Sequence, residues 1–125
     1  MKILIVEDSS ERIAVFKRNL IGHNIHVACS AEQAYKIIEA EDRFDYIFLD
    51  HDLCGGTYEP SDNNSGYGVA KYIASYPEKH PHRAIIHSLN PSGASNIHSA
   101  LEEAGIICNK IPFAWTKLEN GISEK

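Results

Sequence analysis

Asp45-Tyr46-Ile47-Phe48-Leu49-Asp50-His51-Asp52 is the stretch that decides the fold. An uninterrupted apolar run of this length, flanked by charge, is what a strand covered on both faces requires. It breaks abruptly into Asp50, His51 and Asp52. Residues 3–6 repeat the form: a short apolar run, Ile3-Leu4-Ile5-Val6, ends in Glu7 and Asp8. Two strands of this kind predict a buried parallel sheet with polar chemistry gathered at one edge.

Working outward, the segments between such runs carry helical periodicity. Asp8 with Glu11 resembles a capping box, and Ile13, Phe16 and Leu20 recur at helical spacing before Gly22 stops the helix. Residues 25–29 read as a second strand. Ser30 with Gln33 repeats the cap and opens a helix whose apolar face includes Ala34, Ile37 and Ile38. The polar stretch 54–66 after Asp52 is long for a strand-to-helix connection. A lid closing over a ligand and a tolerated surface insertion are the two explanations. A helix follows over 67–76, ended by Pro77, then a polar loop over 78–83 and a fourth strand over 84–88. Ser92 or Ser95 caps a helix carrying Ile97, Leu101 and Ala104 and stopped by Gly105. Residues 106–111 form a fifth strand. Phe113 and Trp115 read as core closure, and 112–125 leaves room for only a short last helix. The domain is placed at 1–118, with a flexible tail at 119–125.

Strands alternating with helices imply right-handed crossovers, and the common five-strand order is 2-1-3-4-5. Ligands then bind beyond the carboxyl ends of strands 1 and 3. That rule ignores residue type, yet it points at Glu7, Asp8, Asp50, His51 and Asp52. His87, Ser88 and Asn90 end the neighbouring strand.

The totals narrow the function classes. At 125 residues the chain is one domain, and 43% hydrophobic with 23% charged residues is ordinary for a globular fold. A net charge of −5 argues against nonspecific DNA binding, which needs a basic surface. Cys29, Cys54 and Cys108 are odd in number and form no CxxC pair, as in a reducing compartment. The N-terminal apolar run is too short for a signal peptide or membrane span, so the cytoplasm is the expected location.

Glu7, Asp8 and Asp50 would repel one another at one sheet edge unless protonated or bridged by a cation. Hard oxygen ligands suit Mg²⁺, with Mn²⁺ as a second choice. Three solvated acids, two of them helix caps, are the plainer alternative. Asp50 is either a nucleophile that accepts a phosphoryl group or a metal ligand alone. His51 and His87 flank adjacent strand ends, where two imidazoles on either side of a phosphate would serve as general base and general acid. The competing reading is one hydrogen-bonded core histidine and one loop histidine. Alternation along a strand also allows His51 and Asp50 to face opposite ways. Ser88, Asn90 and the Pro91-Ser92-Gly93 turn offer hydroxyl, amide and backbone N–H groups to phosphate oxygens, or simply an N-cap. His80 and His82 make a weak HxH pattern.

Glu7-Asp8, Asp50 and Ser88, each after a strand, resemble the receiver domains of response regulators. In that family an acid pair and an aspartate bind Mg²⁺, the aspartate is phosphorylated, and a Ser or Thr senses the phosphate. A lysine before Pro-Phe binds phosphate there. Here Ile111 precedes Pro112-Phe113, and Lys110 stands one position earlier. The chain is more similar to the cyclic-phosphate processing receiver domains. The resemblance rests on Phe48-Leu49-Asp50-His51-Asp52-Leu53, Ser65-Gly66-Tyr67-Gly68-Val69-Ala70, Ile86-His87-Ser88-Leu89-Asn90-Pro91 with Gly93, and Ile111-Pro112-Phe113. It implies a flavodoxin-like, three-layer receiver sandwich with a shortened final helix, and hydrolysis or binding of cyclic phosphates in nucleotides or at RNA ends.

The leading expectation is therefore a metal-dependent phosphoesterase. Glu7, Asp8 and Asp50 hold the cation, and His51 and His87 act as base and acid. Asp52 orients His51, while Ser88, Asn90, Gly93 and Lys110 meet the phosphate. A phosphorelay receiver and an inactive binding module are the alternatives.

Overall fold

The computed structural model describes residues 1–53 and 61–111. Its elements run β1 (Lys2–Val6), α1 (Ser10–Asn19), β2 (Asn24–Ala28), α2 (Ala31–Ala40) and β3 (Tyr46–Leu49). They continue with α3 (Gly66–Ala74), a 3₁₀ turn (Pro77–Lys79), β4 (Arg83–Ile86), α4 (Pro91–Glu103) and β5 (Cys108–Lys110). The five strands form one sheet in the order β2-β1-β3-β4-β5, and every pairing is parallel. This is the order expected from the alternation of elements.

The three central strands, β1, β3 and β4, bury both faces. Leu4, Val6, Ile47, Leu49, Ala84 and Ile86 point to the side where α2, α3 and α4 pack. Ile3, Ile5, Tyr46, Phe48 and Ile85 point to the other, against Phe16 of α1 and Leu20, the residue that caps its end. Period-two alternation thus assigns every strand residue to a layer, including those that continue past the strand ends.

Local chemistry explains most boundaries. Ser30 caps α2 by accepting from the Gln33 N–H, while the Gln33 side chain accepts from the Cys29 N–H at 2.8 Å. Two caps differ from expectation. Ser9, not Asp8, caps α1, and Asn90, not Ser92 or Ser95, caps α4 by accepting from the Gly93 N–H, with Pro91 in the first turn. In both cases the residue before the expected cap or after it already has extended backbone and the right reach. Gly22 and Gly105 end α1 and α4 regions with φ of 93° and 82°, a left-handed backbone that other residues rarely adopt. The expectations for Cys54, the early part of the 54–66 loop, Phe113, Trp115, the short last helix and the 119–125 tail lie outside the described residues.

Candidate functional site

The sheet ladder continues one residue beyond the strands, and that extra row is the site. The Glu7 N–H donates to Ala28 O (3.0 Å), the Asp50 N–H to Val6 O (3.1 Å), the His87 N–H to Leu49 O (3.0 Å) and the Ile111 N–H to Ile86 O (2.9 Å). Glu7, Asp50, His87 and Ile111 therefore stand side by side at the carboxyl edge, all turned toward α1. Glu7, Asp50 and His87 are nearly or completely buried.

Their side chains converge. His87 Nε2 lies 2.8 Å from Glu7 Oε1, and the ring packs edge-on against Phe16, with centroids 5.0 Å apart. The Ser9 N–H donates to Glu7 Oε2 at 3.0 Å. One turn on, the Arg12 guanidinium reaches back between the two acids, 3.1 Å from Glu7 Oε2 and 3.4 Å from Asp50 Oδ2. Its partial exposure brings a cation to the rim of an otherwise buried acidic site. Asp50 Oδ1 accepts from the His51 N–H at 2.9 Å.

The two carboxyls sit in opposite electrostatic states. Burial alone would raise the Glu7 carboxyl, but its hydrogen bond and attraction to His87, the Ser9 N–H and Arg12 outweigh burial and hold it below the ordinary range. Burial pushes the Asp50 carboxyl up and the Glu7 charge adds to this; attraction to His87, Arg12 and the His51 N–H does not cancel them. Glu7, Asp50 and His87 each offer a ligand atom, and these atoms lie within 4.8 Å of one another, so the residues fit a divalent cation in chemistry and spacing.

His51 belongs to a second cluster. Following Asp50 by one residue, it turns toward the opposite layer, where Gly93 at the start of α4 covers its ring. Its Nδ1 lies 2.7 Å from Asp52 Oδ1 and its Nε2 2.8 Å from Ser61 Oγ. The Asn90 amide donates to Asp52 Oδ1 at 3.1 Å and accepts from the Gly93 N–H at 3.0 Å.

The family model for the cyclic-phosphate processing receiver domain matches residues 2–103. The chain belongs to this family. Similar solved structures share its receiver fold at low identity. The phosphorylated cyanobacterial phytochrome response regulator RcpA aligns at 20% identity and TM-score 0.67, over 89% of this chain and 79% of that one. The Mn²⁺-bound form of response regulator Rcp1 aligns at 20% and 0.60, over 90% and 81%. A CheY-like receiver domain from Methylobacillus flagellatus aligns at 18% and 0.63, over 88% and 83%. No curated protein matches the sequence significantly. Among the described residues, no helix is long and apolar enough to cross a membrane.

Several assignments expected from the resemblance move within this receiver framework. The residue beside Asp50 on β4 is His87, not Ser88. Ser88 comes one position later, and its hydroxyl accepts from the Asn90 N–H at 3.0 Å. Lys110 is exposed and lines a cleft with Ile86, Ser88 and Pro91 on the α4 side. Its neighbour Ile111 takes the place on the Asp50 side, packed against the core cluster that includes Phe16 and Phe48. Both shifts follow from alternation: a one-residue offset changes layers. The same rule separates the two rings: His87 turns to Glu7, while His51 turns to Asp52 and Ser61. Asn90 and Gly93 serve the α4 cap and the His51 cluster. Asp8 is half-buried and stands outside the convergent trio. His80 bonds Ala74 O while His82 meets the Tyr46 ring, so the HxH pattern does not converge. Sequence reasoning missed Arg12 and Ser61. Arg12 was legible only as the residue that the Ser9 cap places one turn into α1.

The raised Asp50 carboxyl makes a prediction. A group whose folded pKa is raised binds its proton more tightly in the folded chain, so its contribution to stability grows as pH falls from that value to the ordinary one. Glu7 has the opposite sign, contributing stability above its ordinary value and losing it as pH falls through its lowered one. Without divalent cations, Asp50→Asn is expected to stabilise the protein at neutral pH by about 1 kcal/mol, the ordinary scale of one substitution. That advantage should shrink on acidification. Urea unfolding of both proteins across the acidic range checks the sign.

Proposed function

We propose that the Glu7–Asp50–His87 cluster binds a divalent cation and, with Arg12, receives a cyclic phosphate for ring opening. The observation that carries this reading is His87 in register beside Asp50, its imidazole held on Glu7 at 2.8 Å. Membership of the cyclic-phosphate processing family supports the substrate class. Glu7 and Asp50 supply oxygen ligands, His87 a nitrogen ligand, and Asp8 stands at the rim. An imidazole in the ligand set favours Mn²⁺ or another first-row transition ion over Mg²⁺. When bound, the ion would neutralise phosphate charge and lower the pKa of a water. Arg12, partly exposed between the carboxylates, meets the anion as it enters from solvent. Phe16 backs the His87 ring and keeps water from that side.

Purified protein with Mn²⁺ is expected to open 2′,3′-cyclic AMP to a monophosphate, followed by ³¹P NMR. His87→Ala should weaken Mn²⁺ binding in calorimetry by roughly 10–100-fold, the usual cost of disturbing a metal site. Absence of turnover together with unchanged Mn²⁺ affinity in His87→Ala overturns the reading.

A second reading is a phosphorelay receiver with Asp50 as acceptor, favoured by the partly exposed Arg12 beside Asp50 and by the fold shared with a phosphorylated regulator. It predicts addition of one phosphoryl group from acetyl phosphate, lost in Asp50→Asn. The Ile111 side chain, standing where the resemblance implies a lysine, counts against it.

A further inference from the structure

The second cluster contains a chemistry that the metal site does not use. Asp52, His51 and Ser61 form an unbroken hydrogen-bond chain, 2.7 Å from Asp52 Oδ1 to His51 Nδ1 and 2.8 Å from His51 Nε2 to Ser61 Oγ. The surroundings dictate where its protons lie. Asn90 accepts from the Gly93 N–H through its oxygen, so the group it presents to Asp52 Oδ1 is its donor NH₂. The Asp52 carboxylate then accepts from both Asn90 and His51, which places a proton on Nδ1. Nε2 is the ring atom that faces the Ser61 hydroxyl, 2.8 Å away. The Asn96 amide donates to Ser61 Oγ at 2.8 Å, filling one of its acceptor positions and leaving the hydroxyl proton directed at His51.

The imidazole is also fixed in place. His51 is fully buried, and a Cβ at Gly93 would stand 2.4 Å from its Cγ, so α4 lies directly on the ring. Ser61, by contrast, is only half-buried. Asn96 links it to a groove of about 420 Å³ between α3 and α4, whose walls include Tyr67, Lys71, Ser75 and Glu103.

We propose that Ser61 is a nucleophilic serine that attacks a small acyl or phosphoryl ester held at the α3–α4 groove, with His51 as its base and Asp52 as the positioning residue. Ser61 Oγ forms a bond to the carbonyl carbon or phosphorus as its proton passes to His51 Nε2. The bond to the leaving alkoxide breaks, and the alkoxide takes that proton and departs as the alcohol. Water then attacks the adduct in the same way, releasing the acid and restoring Ser61. The step uses none of Glu7, Asp50 or His87 and needs no cation, so it stands or falls separately from the metal site.

The test is covalent labelling of the full chain by diisopropyl fluorophosphate in EDTA, read by intact mass and peptide mapping. The expected result is one adduct on Ser61. It should form at least roughly 100-fold faster than adducts on exposed Ser92 and Ser95, the scale of an engaged general base. Ser61→Ala should abolish it. Asp52→Asn should slow it at least roughly tenfold while leaving Ser92 and Ser95 unchanged. Labelling of Ser61 no faster than of Ser92 and Ser95 in the wild type overturns the proposal, whatever the variants do. So does an undiminished rate in Asp52→Asn.

Discussion

Gly66→Ala is expected to lower the thermal midpoint by more than about 10 °C, a loss of roughly 3 kcal/mol or more. Gly66 is the first residue of α3, and its N–H donates to His51 O at 2.8 Å. A Cβ there would stand 1.9 Å from the Asp50 carbonyl oxygen, 2.8 Å from its carbon and 3.0 Å from His51 Cα. These are backbone atoms just past the end of central strand β3, and the Asp50 N–H is itself tied to Val6 O. Neither side can yield cheaply, so α3 must lift or the end of β3 must bend. Either response moves Asp50, and Mn²⁺ binding should weaken together with stability. Gly22→Ala is the comparison: its φ is 93° but nothing lies within 4 Å of the added carbon, so only backbone strain of about 1–2 kcal/mol is expected. Thermal unfolding by circular dichroism separates them. A Gly66 variant no less stable than the Gly22 variant would refute the close approach of α3 to β3.

Glu7→Ala is expected to cost about 3–5 kcal/mol, the usual penalty for removing one partner from a buried charged cluster. Glu7 is completely buried and serves three groups at once: His87 Nε2, the Ser9 N–H and Arg12. Its removal strips the His87 ring of that carboxylate and takes a buried carboxylate from Arg12. It also loosens the start of α1, because Ser9 is the cap of that helix. Glu7→Gln keeps the shape and one acceptor oxygen, for the Ser9 N–H, while its NH₂ replaces the oxygen that meets His87, and it should lose less than Glu7→Ala. Denaturant unfolding in EDTA measures both. Equal losses in the two variants would mean that the charge, which both variants lack, rather than shape is what Glu7 supplies.

The fold was legible because its signals are short-range. Residues 3–6 and 46–49 are continuous apolar runs, and Phe16, Leu20, Ile38, Ile97 and Leu101 recur at helical spacing, so element order and then sheet order followed. Asp50 was legible for the same reason: it ends a buried strand at the point where the order reverses. The partners of Asp50 were less legible. Whether the β4 residue beside it is His87 or Ser88 depends on register, and a shift of one residue exchanges the layers. The same uncertainty of one position separates Lys110 from Ile111. The glycines of Ser65-Gly66-Tyr67-Gly68 were visible as a pattern, but their reason was not. Gly66 is there because of the Asp50 carbonyl, and Gly68 because Tyr35 Oη and the Asn63 backbone leave no room.

The amino-acid sequence by itself determined the strands, the helices, their order and the edge on which acids and imidazoles collect, since each depends on periodicity and on the residues that end a run. Only the tertiary structure decided which of those groups meet. Glu7, Asp50 and His87 come together because the parallel ladder carries one more row past the strand ends, with Arg12 delivered to them by the first turn of α1. His51, next to Asp50 in the chain, goes instead to Asp52, Ser61 and Asn90. A pleated strand sends neighbouring side chains to opposite faces, and what waits on each face is set by helices far away in sequence.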